Sequence, residues 1–133
     1  MNDINSRNYE RLWMQTEEDN NYLLAVFEED MSAFSSAVRN RHLTNVKLFI
    51  NDYFHKKGIE SVVEGVLYMH EFFLHVTAER ICETADSVRK LATSIRKFYT
   101  CIYNEGYISH FVKEEALMTI EFNLDTWKNQ CNA

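Results

Sequence analysis

The sequence predicts an all-α protein, a single compact bundle of about five helices. Three observations carry that expectation. Apolar residues make up 46% of the 133 positions and aromatics 14%, enough for a continuous core without metal or disulfide support. Proline is absent and only three glycines occur, whereas an all-β fold uses both in its many tight turns. From about residue 19 onward, apolar residues recur at steps of three and four, the period of a helix with one face turned inward.

Residues 1–18 read as a polar tail or short helix, with Trp13 docked on the core from an isolated apolar cluster of Tyr9, Leu12 and Trp13. Residues 19–133 read as a single helical domain. Asp19 or Asn20 is placed to cap a first helix reaching about Phe34, with Leu23, Leu24, Phe27 and Met31 inward. Ser35 and Ser36 mark the break.

The second helix is expected over about 37 to 55. Val38, Val46, Phe49, Ile50, Tyr53 and Phe54 fall mostly on one side, and Asn40, Arg41, Thr44, Lys47 and Asn51 on the other. Lys56 and Lys57 suit the negative end of the helix dipole, and Gly58 supplies a left-handed terminator. A third helix over about 60 to 79 is apolar nearly all round, so it is either buried on several sides or offers a patch to a partner.

Thr84 caps the fourth helix, with Asp86 in its first turn. Val88, Leu91, Ala92, Ile95, Phe98, Tyr99 and Ile102 cover about a third of its circumference. Arg89, Lys90, Thr93, Arg96, Lys97 and Thr100 take the opposite face, and Gly106 ends the helix. Ser109 caps a last helix to about Asn129, with Phe111, Ala116, Leu117, Ile120, Leu124 and Trp127 as its inward stripe.

Charge and motif content narrow the function classes. The net charge is −6, but it is unevenly spread. Residues 1–35 carry −6, residues 36–104 carry +3 and residues 105–133 carry −3. A generic nucleic-acid binder is basic overall, so the basic middle is the part that bears on such a partner. The acidic first 35 residues would then be an internal decoy for phosphate. No stretch approaches the roughly 18 to 20 apolar residues that span a bilayer, so no membrane partner is expected. Cys82, Cys101 and Cys131 are odd in number and widely spaced, which suits reduced thiols in the cytoplasm.

No self-sufficient active site is expected, and no metal or cofactor. His70 and His75 are five apart rather than the four of the zinc-protease motif, which places them about 140° from each other around a helix. His42, His55 and His110 have no cysteine or carboxylate at ligand spacing. Three glycines cannot build a phosphate-cradling loop.

Two stretches carry a likeness to a known family. VRNRHLTNVKLFINDYF, residues 38–54, contains the order H-L-x-x-V-x-x-F. SVRKLATSIRKFYTCIYNEGYIS, residues 87–109, contains a basic helix running through Phe98-Tyr99 to a Gly-x-Ile exit. In both, the chain resembles the SAM-like core-binding domain of tyrosine recombinases and phage integrases, over about four-fifths of its length. The resemblance implies half of a clamp around double-stranded DNA, with Arg41, Lys47, Arg89, Lys90, Thr93, Arg96 and Lys97 as DNA-binding residues. It implies a role accessory to DNA integration, recombination or regulation. Two features depart from the family. The catalytic domain needs well over a hundred further residues, and Ile108-Ser109-His110 stands where Asn-Pro usually follows the exit. A chain of this length is therefore not expected to cleave DNA.

The competing expectation is a protein-interaction or regulatory domain without nucleic acid. It would use a patch around Tyr68, Phe72 and Phe73 on the third helix, for a protein partner or a homodimer.

Overall fold

Serine and threonine hydroxyls set the starts of four helices. Ser35 accepts from the Val38 amide, Ser61 from Glu64, Thr84 from Ser87 and Ser109 from Val112. Each satisfies an amide that the first helical turn leaves without a partner. At Thr84 the box is reciprocal, because the Ser87 hydroxyl accepts in turn from the Thr84 amide at 3.2 Å.

The computed structural model describes residues 3–132, with side chains from Glu10 onward. Helix α1 spans Asp3–Asp30. Helix α2 runs Ser36–Lys47, continues through a π-helical segment at Leu48–Tyr53 and finishes as Phe54–Lys57. Helix α3 comprises Val62–Gly65, a 3-10 turn at Val66–Tyr68 and Met69–Ala78. Helix α4 spans Ala85–Asn104 and α5 spans His110–Gln130. Among the described residues there is no strand, and no helix is long and apolar enough to cross a membrane. The all-α, five-helix expectation holds.

Two glycines end helices in the left-handed region. Gly58 closes α2 at φ 70° and Gly106 follows α4 at φ 85°. In both, the next amide returns to a carbonyl five residues earlier: Ile59 to Phe54 at 3.0 Å and Tyr107 to Ile102 at 2.8 Å. Lys56 and Lys57 sit at the carbonyl end of α2, as the dipole favours.

Helix α4 is the centre of the bundle and packs on α5, α2 and α1, while α3 packs on α5. All seven apolar residues expected to face inward from α4 are buried. The Tyr99 hydroxyl, in that core, donates to the Val62 carbonyl at 2.7 Å and ties α4 to the start of α3. Phe73 and Trp127 stack at 3.9 Å with planes 4° apart, joining α3 to α5. Gly65 lets α3 approach α2, because a Cβ there would lie 2.3 Å from Cζ of the buried Phe54 ring.

The structure corrects three expectations. The first helix does not start at Asp19 or Asn20; it is continuous from Asp3 and stops at Asp30, short of Phe34. Its inward face continues N-terminally as polar residues, which hides the period. Thr16 and Asn20 are buried, and they donate to the Glu60 and Ile50 carbonyls at 3.0 and 2.6 Å. Trp13 does dock as expected, stacking on His55 at 4.4 Å; Met1 and Asn2 lie outside the described residues and Tyr9 outside the described side chains. Second, Phe72 and Phe73 are fully buried between α2 and α5, so they form no surface patch. Third, Phe111 points outward, 71% exposed.

Candidate functional site

The expected DNA-binding residues sit on two helices that lie against each other. The contact between α2 and α4 is polar at its middle. Ser94 is fully buried there, its hydroxyl 2.8 Å from His42 Nδ1 and 3.0 Å from the donating Asn45 Nδ2. The same hydroxyl donates back to the Lys90 carbonyl at 3.1 Å. A small hydroxyl at the edge of the apolar arc lets α2 come close without leaving its polar groups unpaired.

Charge gathers around this seam. His42 is buried, and its pKa is lowered first by that burial, then by the positive charges of Arg41 and Lys97. Arg41 is the sequence neighbour of His42 on α2, whereas Lys97 comes from α4, and both charges act on the same ring. Lys97 Nζ also lies 5.5 Å over the ring of Phe34, which is tilted against His42 at 6.2 Å.

The remaining expected residues divide into four groups. Arg89 and Lys90 are exposed and both pair with Asp86, Lys90 at 3.1 Å; these bonds hold the Asp86 carboxyl below its ordinary range. Thr93, half-buried, turns its hydroxyl back to the Arg89 carbonyl at 2.9 Å. Arg96 shares with Lys97 a depression of about 280 Å³ that also takes in Phe34, Asp30 from α1, and Thr100 and Asn104 from α4. Lys47 stands apart, in a separate depression between α1 and α2 lined by Asn21, Glu28, Asn40 and Thr44. The seam therefore holds Lys97 beside His42 and leaves Lys47 on another side of α2.

Sequence reasoning did not single out Arg39. Its guanidinium donates to the Phe34 carbonyl at 2.8 Å and fastens the α1–α2 turn to the start of α2. It also passed over His42, Asn45 and Ser94 as a bonded group, since nothing in a single sequence pairs positions 42 and 94.

Other reactive groups are separated or quiet. His70 Nδ1 accepts from Trp127 Nε1 at 2.9 Å, whereas His75 faces Tyr53 at 5.5 Å, so the two rings serve different neighbours. Cys82, Cys101 and Cys131 are free thiols. Burial, then Asp30 and Glu105, pushes Cys101 up to about 12, and burial also raises Cys82, so both are protonated at neutral pH. Among the described residues no group of three His, Cys, Asp or Glu side chains is arranged to hold a metal ion.

Comparison with protein-family models, with curated proteins and with solved structures returns no match for this chain.

Proposed function

We propose that the chain is a non-catalytic, DNA-associated helical module that contacts the sugar-phosphate backbone through the α2–α4 seam. The observation that carries this reading is the placement of Lys97 of α4 over Phe34, which itself lies against His42 of α2, beside the sequence neighbour Arg41. Arg89, Lys90 and Arg96 extend the same exposed side of α4, with half-buried Thr93 between them. Arginine, lysine and threonine side chains of this kind supply the phosphate contacts that fix a protein on a duplex. The two stretches that resemble the recombinase core-binding domain, 38–54 and 87–109, are the ones that form α2 and α4. A SAM-like arrangement, a role accessory to DNA integration or recombination, and a cytoplasmic location with reduced cysteines go with that reading.

The net charge of −6 confines the interaction to the seam, and its cation–phosphate contacts make it strongly salt-dependent. The test is fluorescence anisotropy with a labelled duplex of about 30 base pairs across a salt series. Binding that weakens steeply with salt and is lost in Arg41→Glu/Lys97→Glu supports the seam. No binding at low salt, or binding that this variant leaves unchanged, sinks it.

A further inference from the structure

The chain has a second unusual surface, on the far side of α4's packing partners. Val63 and Leu67, one turn apart on α3, are exposed at 48% and 81%. On α5, Phe111, Met118 and Phe122 are exposed at 71%, 48% and 77%. Spacings of seven and eleven bring those three within an arc of roughly 40° around the helix. Helix α5 is thus apolar on two faces: one buries Ala116, Ile120 and Trp127, and the other meets water. Between α3 and α5 lies an open groove of about 470 Å³, lined by Val63, Val66, Leu67, Phe111 and Val112 with Ser61, Glu64 and Glu115.

Single exposed apolar residues are ordinary, but an ordered stripe beside a groove is a binding surface. Its charge selects the occupant. Both ionisable residues in the groove lining are glutamates, Glu64 and Glu115. Glu114, Glu121 and Asp125 flank the α5 stripe at one-turn spacing. Lys113, the nearest cation in sequence, is turned away: its ammonium lies 4.5 Å over the Tyr103 ring and pairs with Glu114 at 3.1 Å.

Among the described residues, a second copy of this chain offers no match. Docked groove to groove, it would set carboxylates against carboxylates. Its basic surface, the outer face of α4, carries Arg89, Lys90, Thr93, Arg96 and Lys97 with no apolar stripe between them. Two parallel helical ridges leave a furrow that takes a third helix on apolar anchors at three- and four-residue steps. Phe111 to Phe122 spans three turns, or roughly 16 Å.

We infer that the α3–α5 groove docks an amphipathic helix of about three turns from a partner protein, with an apolar seam flanked by lysine or arginine. The site is independent of the α2–α4 seam. A chain with both would join a basic partner helix to a polyanion.

The test uses the whole protein and two labelled synthetic helices of about 14 residues, identical in their leucine seam, one flanked by lysines and the other by glutamates. Anisotropy should show the lysine helix binding about ten-fold or more tighter than the glutamate helix. Leu67→Gln/Phe111→Gln should abolish binding, and Glu64→Lys/Glu115→Lys should reverse the preference, with circular dichroism confirming folded variants. Equal binding of the two helices overturns the inference. So does lysine-helix binding that survives Leu67→Gln/Phe111→Gln, which would be charge attraction without the groove. Sedimentation showing a dimer that Leu67→Gln/Phe111→Gln dissociates would give the groove to a second copy and overturn it as well.

Discussion

The Asn20 side chain on α1 donates to the Ile50 carbonyl on α2 at 2.6 Å, and that carbonyl lies within the π-helical segment of α2. A π turn displaces the regular ladder of backbone bonds, so its carbonyls call for partners outside the helix. Asn20, 1% exposed, meets that need from the neighbouring element. The π segment and the polar inward face of α1 are therefore two sides of one packing solution. Around it Phe49, Ile50, Tyr53 and Phe54 are all buried.

Replacing Asn20 with Ala should destabilise the fold by about 1–3 kcal/mol, because the carbonyl loses its donor inside the protein and a small void opens. Thr16→Val keeps its volume and removes only the part-buried bond to Glu60, so it should cost less, about 1 kcal/mol. Urea unfolding of both variants checks this. Equal losses would mean that α1 is held by its leucines and Phe27 alone.

Gly65→Ala gives a second stability prediction with a different cause. The added methyl would meet the Phe54 ring at 2.3 and 2.8 Å, and that ring is fully buried. Neither helix has room to move aside without disturbing the core around Phe49 and Phe72. Helix propensity favours alanine by up to about 1 kcal/mol. Overpacking of about 1–3 kcal/mol outweighs it. Thermal denaturation should show a lower midpoint, and the double variant Gly65→Ala/Phe54→Leu should recover part of the loss. An unchanged or raised midpoint for Gly65→Ala refutes the close contact.

These residues show what a single sequence makes legible. Helix α4 could be read almost completely, since Thr84, its seven apolar positions and Gly106 all reflect local rules. Helix α1 could not, because Thr16 and Asn20 look like surface residues until the carbonyls they serve are placed opposite them. Local pattern has no access to a partner that lies 30 or 44 residues away. The basic face of α4 was legible for the same reason as its core face. Its meeting with His42 depends on how α2 packs, which periodicity does not determine. The outward stripe of α5 was present as the recurrence of Phe111, Met118 and Phe122. The inward stripe interleaves with it along the sequence, and only the angle of about 140° between Phe111 and Ala116 separates the two.

His42 should give the protein a measurable acid sensitivity. Burial, Arg41 and Lys97 all favour the neutral ring, so its folded pKa lies below the 6.5 of an unfolded histidine. The unfolded chain then takes up the proton first as pH falls. Stability is full above about pH 6.5 and declines as pH drops from there through the folded pKa. His42→Asn keeps an amide near Ser94 but cannot titrate. Chemical denaturation at pH 7.5 and pH 5.5 should show the wild type losing more stability than His42→Asn over that interval. Matching losses would place the acid sensitivity in the other four histidines.

Asp86 provides the sharpest test of how the seam uses its cations. Its carboxylate pairs with Arg89 and Lys90 together, so a phosphate approaching either must compete with it. Lys97 has no such rival among its described contacts; its ammonium rests over Phe34. Lys97→Ala should therefore weaken duplex binding more than Arg89→Ala does. Asp86→Asn should do the reverse of both: freeing two cations should tighten binding by about three- to ten-fold at low salt and steepen the salt dependence by about one to two ions. Because Asp86 also favours the first turn of α4, the same substitution should lower the thermal midpoint. Tighter binding from a less stable variant is an outcome that general loss of fold cannot produce. Unchanged or weaker binding by Asp86→Asn would show that Arg89 and Lys90 take no part in holding the duplex, and would confine the contact to Arg41, Arg96 and Lys97.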